Sequence, residues 1–480
     1  MTRVNLTPFQ VHLELGPRLC GASYIFGPED PRYPQASLRF QEYLPPKFLL
    51  IVRIGCADDI STVIEYAFQN SIPFYTVNRG YAVPISQGKF KGIGLDVQLL
   101  TDVIVDRKRN IALISAGATK QGVIDALWAE GYVTTTGAAS CTGMVGQALG
   151  AGHGRYKTRY GLMIDNIVQL NVVLANGTTI AISEDSHEDL FWAMKGAGQN
   201  FGVVTSFEMR IHPHEEDTWY FRNYVFTQDK LEPLFEKLNN LAGNGTQPVG
   251  MDVFFGHYEF NPMISVKEVV LFWTFQYAGP QKEAEKYLAP FDALGPINVT
   301  DGNVPFPDIT IASRNGNLDK TCAKGFPKQW ATIGLQVYNA TACRQVYDLF
   351  SATLKAYPGL STSVILFEGY SVEAVKAIDP AASAFPHRND YINVVVQITY
   401  HPNPKLDAPA LQLAIAVRDL FIDGQPNRLP SAHVSYALGI EPLEQIYGYE
   451  PWRLEKLRAL KAEYDPYNKF AYHLPVIPLE

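Results

Sequence analysis

Two stretches of this 480-residue chain combine residue types that could do chemistry. The first is the loop Asn78-Arg79-Gly80-Tyr81-Ala82. The second runs from Gly137 to Gly154, where Gly137, Gly143, Gly146, Gly150, Gly152 and Gly154 are separated mainly by small residues such as Ala138 and Thr142. Glycine lets a backbone approach another body closely, and bare N–H groups in such loops cradle phosphate oxygens. A Rossmann fingerprint needs a strand, then Gly-x-Gly-x-x-Gly, then a helix. Gly150-Ala151-Gly152-His153-Gly154 lacks the last glycine at that offset, Gly196-Ala197-Gly198 follows a helical pattern, and no Gly-Lys-Ser/Thr of a Walker loop occurs. What remains is two glycine loops in one domain, able to hold the phosphates of a nucleotide or else serving tight strand packing. His153, the polar residue of the second run, is a candidate to face that ligand or its substrate, or else to cap a loop carbonyl. Its type has an ordinary pKa near neutrality, which suits a base.

Mixed elements position these loops. Phe48 to Ile54 reads as a strand, and a helix follows with Ile60, Val63, Ile64, Ala67 and Phe68 inward behind a cap at Asp58 or Asp59. Pro73 to Val77, Gly92 to Leu99 and Ile111 to Ser115 read as strands, and Gln121 to Glu130 as a helix. Asn176-Gly177 between Ile167–Leu174 and Thr178–Ile182 is a hairpin signal. After a helix at His187 to Met194, a strand runs from Val203 to Ile211. Beyond Pro213 come longer strands, Asn223–Phe226, Met251–Tyr258 and Val266–Tyr277, and amphipathic helices, Leu231–Leu241, Gln281–Leu294 and Ala342–Ala356. The fold class is therefore α+β. Its expected units are 1–213 around the glycine loops, 214–430 as a second domain, and 431–480, with helix Trp452 to Glu463, returning to the first.

Net charge is -8 with a sequence pI of about 5.7, and no dense basic run occurs, so nucleic acid is not expected as a partner. Apolar runs fall far short of a bilayer span, which gives no membrane helix. The N-terminus lacks the basic end and apolar core of a signal peptide. Five scattered cysteines without a CxxC pair indicate neither a disulfide scaffold nor a zinc site, and no metal is expected. A cytoplasmic protein is expected. Sequons at Asn5, Asn176, Asn244, Asn298 and Asn339 leave room for a secretory route if a leader was removed. The sequence carries no signal of oligomeric state.

A more specific signal comes from a set of motifs. Gly143-Met144-Val145-Gly146, Gly150-Ala151-Gly152-His153-Gly154, Tyr160-Gly161-Leu162, Asp165-Asn166, Asp189-Leu190-Phe191-Trp192-Ala193-Met194 and Gly196 to Thr205 together resemble the PCMH-type FAD-binding domain of the berberine bridge enzyme-like oxidases, a branch of the vanillyl-alcohol oxidase group. Tyr464-Asp465-Pro466-Tyr467-Asn468-Lys469-Phe470 is similar to the closing motif of that family, and Phe385-Pro386-His387-Arg388 to an internal one. The overall flavour is that of fungal members, many of which act in secondary-metabolite pathways and others on sugars. The resemblance implies a two-subdomain FAD domain completed by the C-terminus. It also implies a substrate domain whose large antiparallel sheet, backed by helices, covers the flavin. FAD then takes a hydride at N5 from a CH-OH, CH-NH or activated C–H group of a small-molecule substrate, usually with dioxygen as acceptor. The implied cofactor contacts are the two glycine loops, Gly202, Val203 and Asn468.

Two departures matter. Counting back from Gly88-Lys89-Phe90, Tyr81 stands where relatives carry the His that joins the flavin covalently, and Ala139 where others carry an attaching Cys. The FAD is therefore expected to be non-covalent, with Cys141 a packed residue. Gln397 falls where relatives carry Glu or Gln over the flavin, and it cannot take a proton. Tyr81, His153 and Tyr400 remain as candidate bases, although Tyr400 lies on the opposite strand parity from Gln397. The expectation is His153 as base, Gln397 as an orienting contact and Tyr81 lining the site; His387 is expected to fix a turn. A redox-neutral cyclase with a structural flavin, and a non-catalytic ligand-binding protein, are the competing readings.

Overall fold

A computed structural model describes residues 7–479, so the Asn5 sequon lies outside the described residues. The first helix, Pro8–Leu15, starts with a capping box in which Thr7 and Gln10 satisfy each other's backbone N–H groups. The strands of the first half are β1 (Tyr24–Phe26), β2 (Lys47–Arg53), β3 (Phe74–Val77), β4 (Lys91–Asp96), β5 (Val103–Asp106), β6 (Ile111–Ser115), β7 (Tyr132–Val133), β8 (Ile167–Val173), β9 (Thr179–Ser183), β10 (Val203–Arg210) and β11 (His212–Pro213). They form a four-stranded sheet ordered β1-β2-β4-β3, a five-stranded sheet ordered β5-β6-β10-β8-β9, and a ribbon of β11 with β7. Parallel pairing of β2 and β3 with β4 requires the crossover helix Asp59–Gln69, whose Ile60, Val63, Ile64 and Ala67 are buried as their spacing predicts.

The second half holds β12 (Trp219–Phe226), β13 (Met251–Glu259), β14 (Val270–Ala278), β15 (Asn298–Val304), β16 (Lys328–Leu335), β17 (Val364–Tyr370) and β18 (Ile392–Thr399). They make one seven-stranded antiparallel sheet ordered β15-β12-β14-β13-β17-β18-β16. Helices Leu231–Ala242, Ala340–Ala356 and Pro404–Asp423 pack on one face of it. Phe235 sets its ring against Trp273 and Phe367, and Phe421 meets Phe367 from the last of these helices. The opposite face of the sheet looks toward the glycine segment.

Several expectations need correction. Gly92–Leu99 and Ile111–Ser115 fall in different sheets: β4 belongs to the first, and the hairpin partner of β6 is β5, a strand the sequence does not announce because it is short and exposed. Asp58 does occupy the N-cap, though without a side-chain bond, and Asp59 accepts from the Cys20 N–H and from Ser23. The cysteines are not mostly unpaired. Cys20 bonds Cys56 and Cys141 bonds Cys322, at separations of 36 and 181 residues that no spacing rule detects; Cys343 is a buried free thiol.

Two buried cations knit the layers. Arg388 donates to both carboxylate oxygens of Asp165 at 2.7 and 3.0 Å, and it also reaches Ser383 and the Val375 carbonyl. Asp165 in turn accepts from the Leu162 N–H, fixing the start of the short helix Met163–Asn166 that follows the glycine segment. Near the C-terminus, Lys461 of helix Pro451–Tyr464 donates to Asp465 and to the carbonyls of Asn200 and Phe470. The last helix is thereby held on the sheets of the first half. Removing one partner of a buried pair leaves an uncompensated charge. Arg388→Met should therefore lower unfolding free energy by about 3–5 kcal/mol in urea titrations, with partial recovery when Asp165→Asn is added. A loss below about 1 kcal/mol would place the pair among weak surface contacts.

Candidate functional site

A cavity of about 340 Å³ lies between the glycine loops and the free face of the seven-stranded sheet. One wall is Asn78 to Ala82 with Ala138, Ala139, Thr142, Gly143 and Gly146; Gly202 and Val203 add the start of β10. The opposite wall follows from strand periodicity. On β17, Ile365 and Phe367 enter the core against the helices, while Leu366, Glu368 and Tyr370 face the cavity. Val395 and Gln397 do the same on β18, and Trp330 on β16. Ser435, Tyr436, Lys469, Phe470, Tyr472 and His473 close the remaining sides.

The lining charges are uneven. Arg39, Arg79, Lys120 and Lys469 are cationic, and Glu368 is the only carboxylate among the described lining residues. Glu368 is half-buried, its open surface facing the cavity, and accepts the Tyr436 hydroxyl at 3.0 Å on each oxygen. Burial pushes its pKa up to about 7, against the opposing pull of the Tyr436 hydrogen bond and the charges of Lys120 and Lys157. The Tyr436 phenol is held well above its usual range by burial and by the Glu368 charge. Lys120 is almost fully buried, and desolvation brings it down to about 7. Arg155 braces the glycine loop from behind, donating to the Ala138 carbonyl, to Ser313 and to Gln276.

The end of the cavity near Asn78 has the character of an anion site. The guanidinium groups of Arg39 and Arg79 line it with no carboxylate ion pair among the described residues, and Lys324 donates to the Arg79 carbonyl. Nine lining residues carry a buried polar atom with no protein partner: Arg39, Asn78, Arg79, Gln87, Gln147, Gln199, Trp330, Ser435 and His473. Native interiors leave few such atoms, so a large polar ligand rich in acceptors and donors fits here. Glycines supply the room. A Cβ at Gly146 would meet nothing within 4 Å and would project into the cavity, and Gly80, at φ +72°, lies under the Arg39 guanidinium, 2.4 Å from where a Cβ would stand. These features match a dinucleotide with a diphosphate.

Other sequence-stated candidates lie elsewhere. His153 does not line the cavity; it is buried behind Tyr370, 2.6 Å from the Lys157 ammonium, with Phe385 and His433 around it. Burial and the Lys157 charge hold its pKa well below the ordinary value, so it is a poor base. Tyr400 is buried on the far side, donating to Asp407 at 2.7 Å, as its strand parity requires. Gly137, Gly150 and Gly152 serve close packing, where a Cβ would strike Lys120 and Gln147, Ser435, or Met163 respectively. Asn468 sits outside the cavity in a left-handed turn, donating to the Ile477 carbonyl. Tyr81 does line the cavity, with its hydroxyl donating to the Cys322 carbonyl. Cys141 is not a packed free thiol but is closed in a disulfide. His387 donates its Nε2–H to the Gln445 carbonyl of the short helix Leu443–Tyr447 at 2.7 Å and stays out of the cavity. Sequence reasoning missed Glu368, Tyr436 and Lys120. The one available signal was a carboxylate inside the apolar run Val364 to Tyr370.

Residues 48–183 match the family described as FAD binding domain. The chain is 53% identical over 476 residues to the FAD-linked oxidoreductase anuG of Penicillium roqueforti, covering 99% of this chain and 94% of that protein. It is 43% identical over 483 residues to the FAD-linked oxidoreductase iacH of Pestalotiopsis fici, with 99% and 93% covered. Its fold is that of Physcomitrella patens BBE-like 1, at a TM-score of 0.83 and 19% identity, covering 99% of this chain and 100% of that one. A bulky side chain at Gly146 should compete with the cofactor for the cavity. Gly146→Leu is expected to weaken FAD binding by at least about tenfold in fluorescence titrations while the urea midpoint stays near that of the parent.

Proposed function

Because this chain belongs to the berberine bridge enzyme-like FAD-linked oxidoreductases, we propose that it oxidises a small metabolite in the cavity between the glycine loops and the seven-stranded sheet, with Tyr436 and Glu368 as its proton acceptor. FAD, when bound, supplies a two-electron acceptor for a hydride leaving a CH-OH, CH-NH or activated C–H group, and dioxygen is the proposed final acceptor. Asn78 to Ala82, Thr142 to Gly146, Arg39 and Arg79 would hold the cofactor.

The observation that carries this reading is the Tyr436–Glu368 contact on the cavity wall. A base is most effective when its pKa lies near working pH, and Glu368 is held up to about 7. A substrate hydroxyl or acidic C–H placed against the Tyr436 oxygen loses its proton there as the phenol proton passes to Glu368. Gln397, tied to Thr399 at 3.1 Å, orients the substrate from the neighbouring strand. Tyr370 and Trp330 exclude water around it.

This assignment fixes a sign. Glu368 accepts protons only when ionised, so kcat/KM should rise with pH through about 7 and level off above it. Glu368→Gln should abolish that limb, and both Glu368→Gln and Tyr436→Phe should slow anaerobic flavin bleaching by about a hundredfold or more. Bleaching at the parent rate in both variants would defeat the base assignment. Turnover without any bleaching would favour a redox-neutral cyclase.

The flavin is proposed to be non-covalent. Tyr81 offers a phenol already engaged with the Cys322 carbonyl, position 139 is alanine, and the Cys141 sulfur is bonded to Cys322. Acid precipitation should leave the flavin in the supernatant; flavin retained in the pellet would overturn this. The two disulfides, with exposed sequon asparagines at 176, 244, 298 and 339, favour passage through an oxidising compartment over the cytoplasm.

A further inference from the structure

We propose that Lys120 is the specificity residue of this cavity and that it selects substrates carrying an acidic oxygen, a carboxylate or acidic phenol, on a flat aromatic or unsaturated body. The proposal rests on reading the cavity as the site of oxidation and adds the substrate class to it.

Lys120 opens the helix Lys120–Ala129, where a lysine would ordinarily extend into water and where the macrodipole disfavours a cation. Here it turns inward and is only 4% exposed. Among the described residues its ammonium has no hydrogen-bonding protein partner, whereas the other buried lysines are engaged: Lys157 with His153, Lys328 with two carbonyls, and Lys461 with Asp465 and two carbonyls. The ammonium lies beside the unpartnered Gln147 Oε1, in space that exists only because residue 137 is glycine: a Cβ there would sit 2.3 Å from the Lys120 nitrogen and 2.1 Å from the Gln147 oxygen. Burying a lysine with three free donors is costly unless something meets them.

Among the described residues none accepts a hydrogen bond from the Lys120 ammonium. Glu368, the only carboxylate among the described lining residues, receives the Tyr436 hydroxyl and feels the charges of both Lys120 and Lys157, but it accepts no hydrogen bond from Lys120. Arg39 and Arg79 stand with Asn78 at the anion-binding end, and Lys469 with Phe470 and Tyr472, which leaves Lys120 as the cation facing the catalytic pair. The surrounding wall, formed by Tyr370, Tyr436, Trp330, Leu366 and Val395, is apolar and largely aromatic. It suits a flat ligand with one charged edge. An anionic oxygen would supply the acceptor that the Lys120 donors lack, in a charge-assisted hydrogen bond stronger than a neutral one.

The test compares benzoate with its neutral isostere benzamide on the FAD-loaded protein at neutral pH, reading Kd from the shift of the flavin absorption band and from calorimetry. Benzoate should bind at least about tenfold more tightly than benzamide. Lys120→Met should remove that difference with benzamide affinity unchanged, and Lys120→Arg should keep it. Equal binding of the two probes to the parent protein, no binding of benzoate, or a preference that survives Lys120→Met would each overturn the proposal. If Lys120 instead serves the cofactor, Lys120→Met weakens FAD binding and the parent shows no benzoate preference, which also overturns it. Because the readout is binding, it stays informative even if Glu368→Gln and Tyr436→Phe keep full activity, a result that would sink the base assignment alone.

Discussion

The bidentate contact between Arg388 and Asp165 is the joint on which the site depends. Asp165 lies in the short helix Met163–Asn166 that follows the glycine segment, and Arg388 lies just before β18, the strand that carries Gln397 to the cavity. A fork of two parallel N–H···O bonds fixes angle as well as distance. It therefore sets how far the glycine loops stand from the sheet, and the gap between them is the cavity. Arg155 repeats the device closer in, tying the Ala138 carbonyl to Gln276 of β14. The walls are thus held by guanidinium groups whose geometry is rigid, and the loops need no bulk of their own.

Those joints leave the interior unusually rich in charge. Lys120, Lys157, Arg155, Asp252 and Glu368 lie in one region screened from bulk water, each shifted by burial toward its neutral form. Such a cluster is poor value for stability, since desolvation offsets most of what attraction returns. Groups brought to about 7 from both sides can exchange a proton at little cost, and small changes in what occupies the cavity decide which of them carries it.

Much of the fold was legible because long elements announce themselves. The crossover helix after β2, the Asn176-Gly177 hairpin and the helix Ala340–Ala356 stand close to where periodicity puts them. β17 was not legible, because Val-Ile-Leu-Phe is apolar on both faces: one packs on helices and the other lines a cavity. Glu368 was hidden in that strand, and Lys120 behind an ordinary N-cap threonine that makes it look like a solvated first-turn lysine. The glycine run was recognised as a close approach, yet several of its glycines accommodate other protein atoms, which sequence cannot distinguish from a ligand. His153 illustrates the same limit. Its type suits a base, and only its burial beside Lys157, which holds its pKa below the ordinary value, makes it a poor one.

The cavity wall includes Lys469, Phe470, Tyr472 and His473, held in place by Lys461 and by the contact of Phe470 with Phe74 of β3. During synthesis the glycine loops leave the ribosome more than three hundred residues before this stretch, at rates of about 5–20 residues per second. For tens of seconds the nascent chain has half a binding site and no closed one. The last wall of the cavity in space is thus also the last part of it to be made.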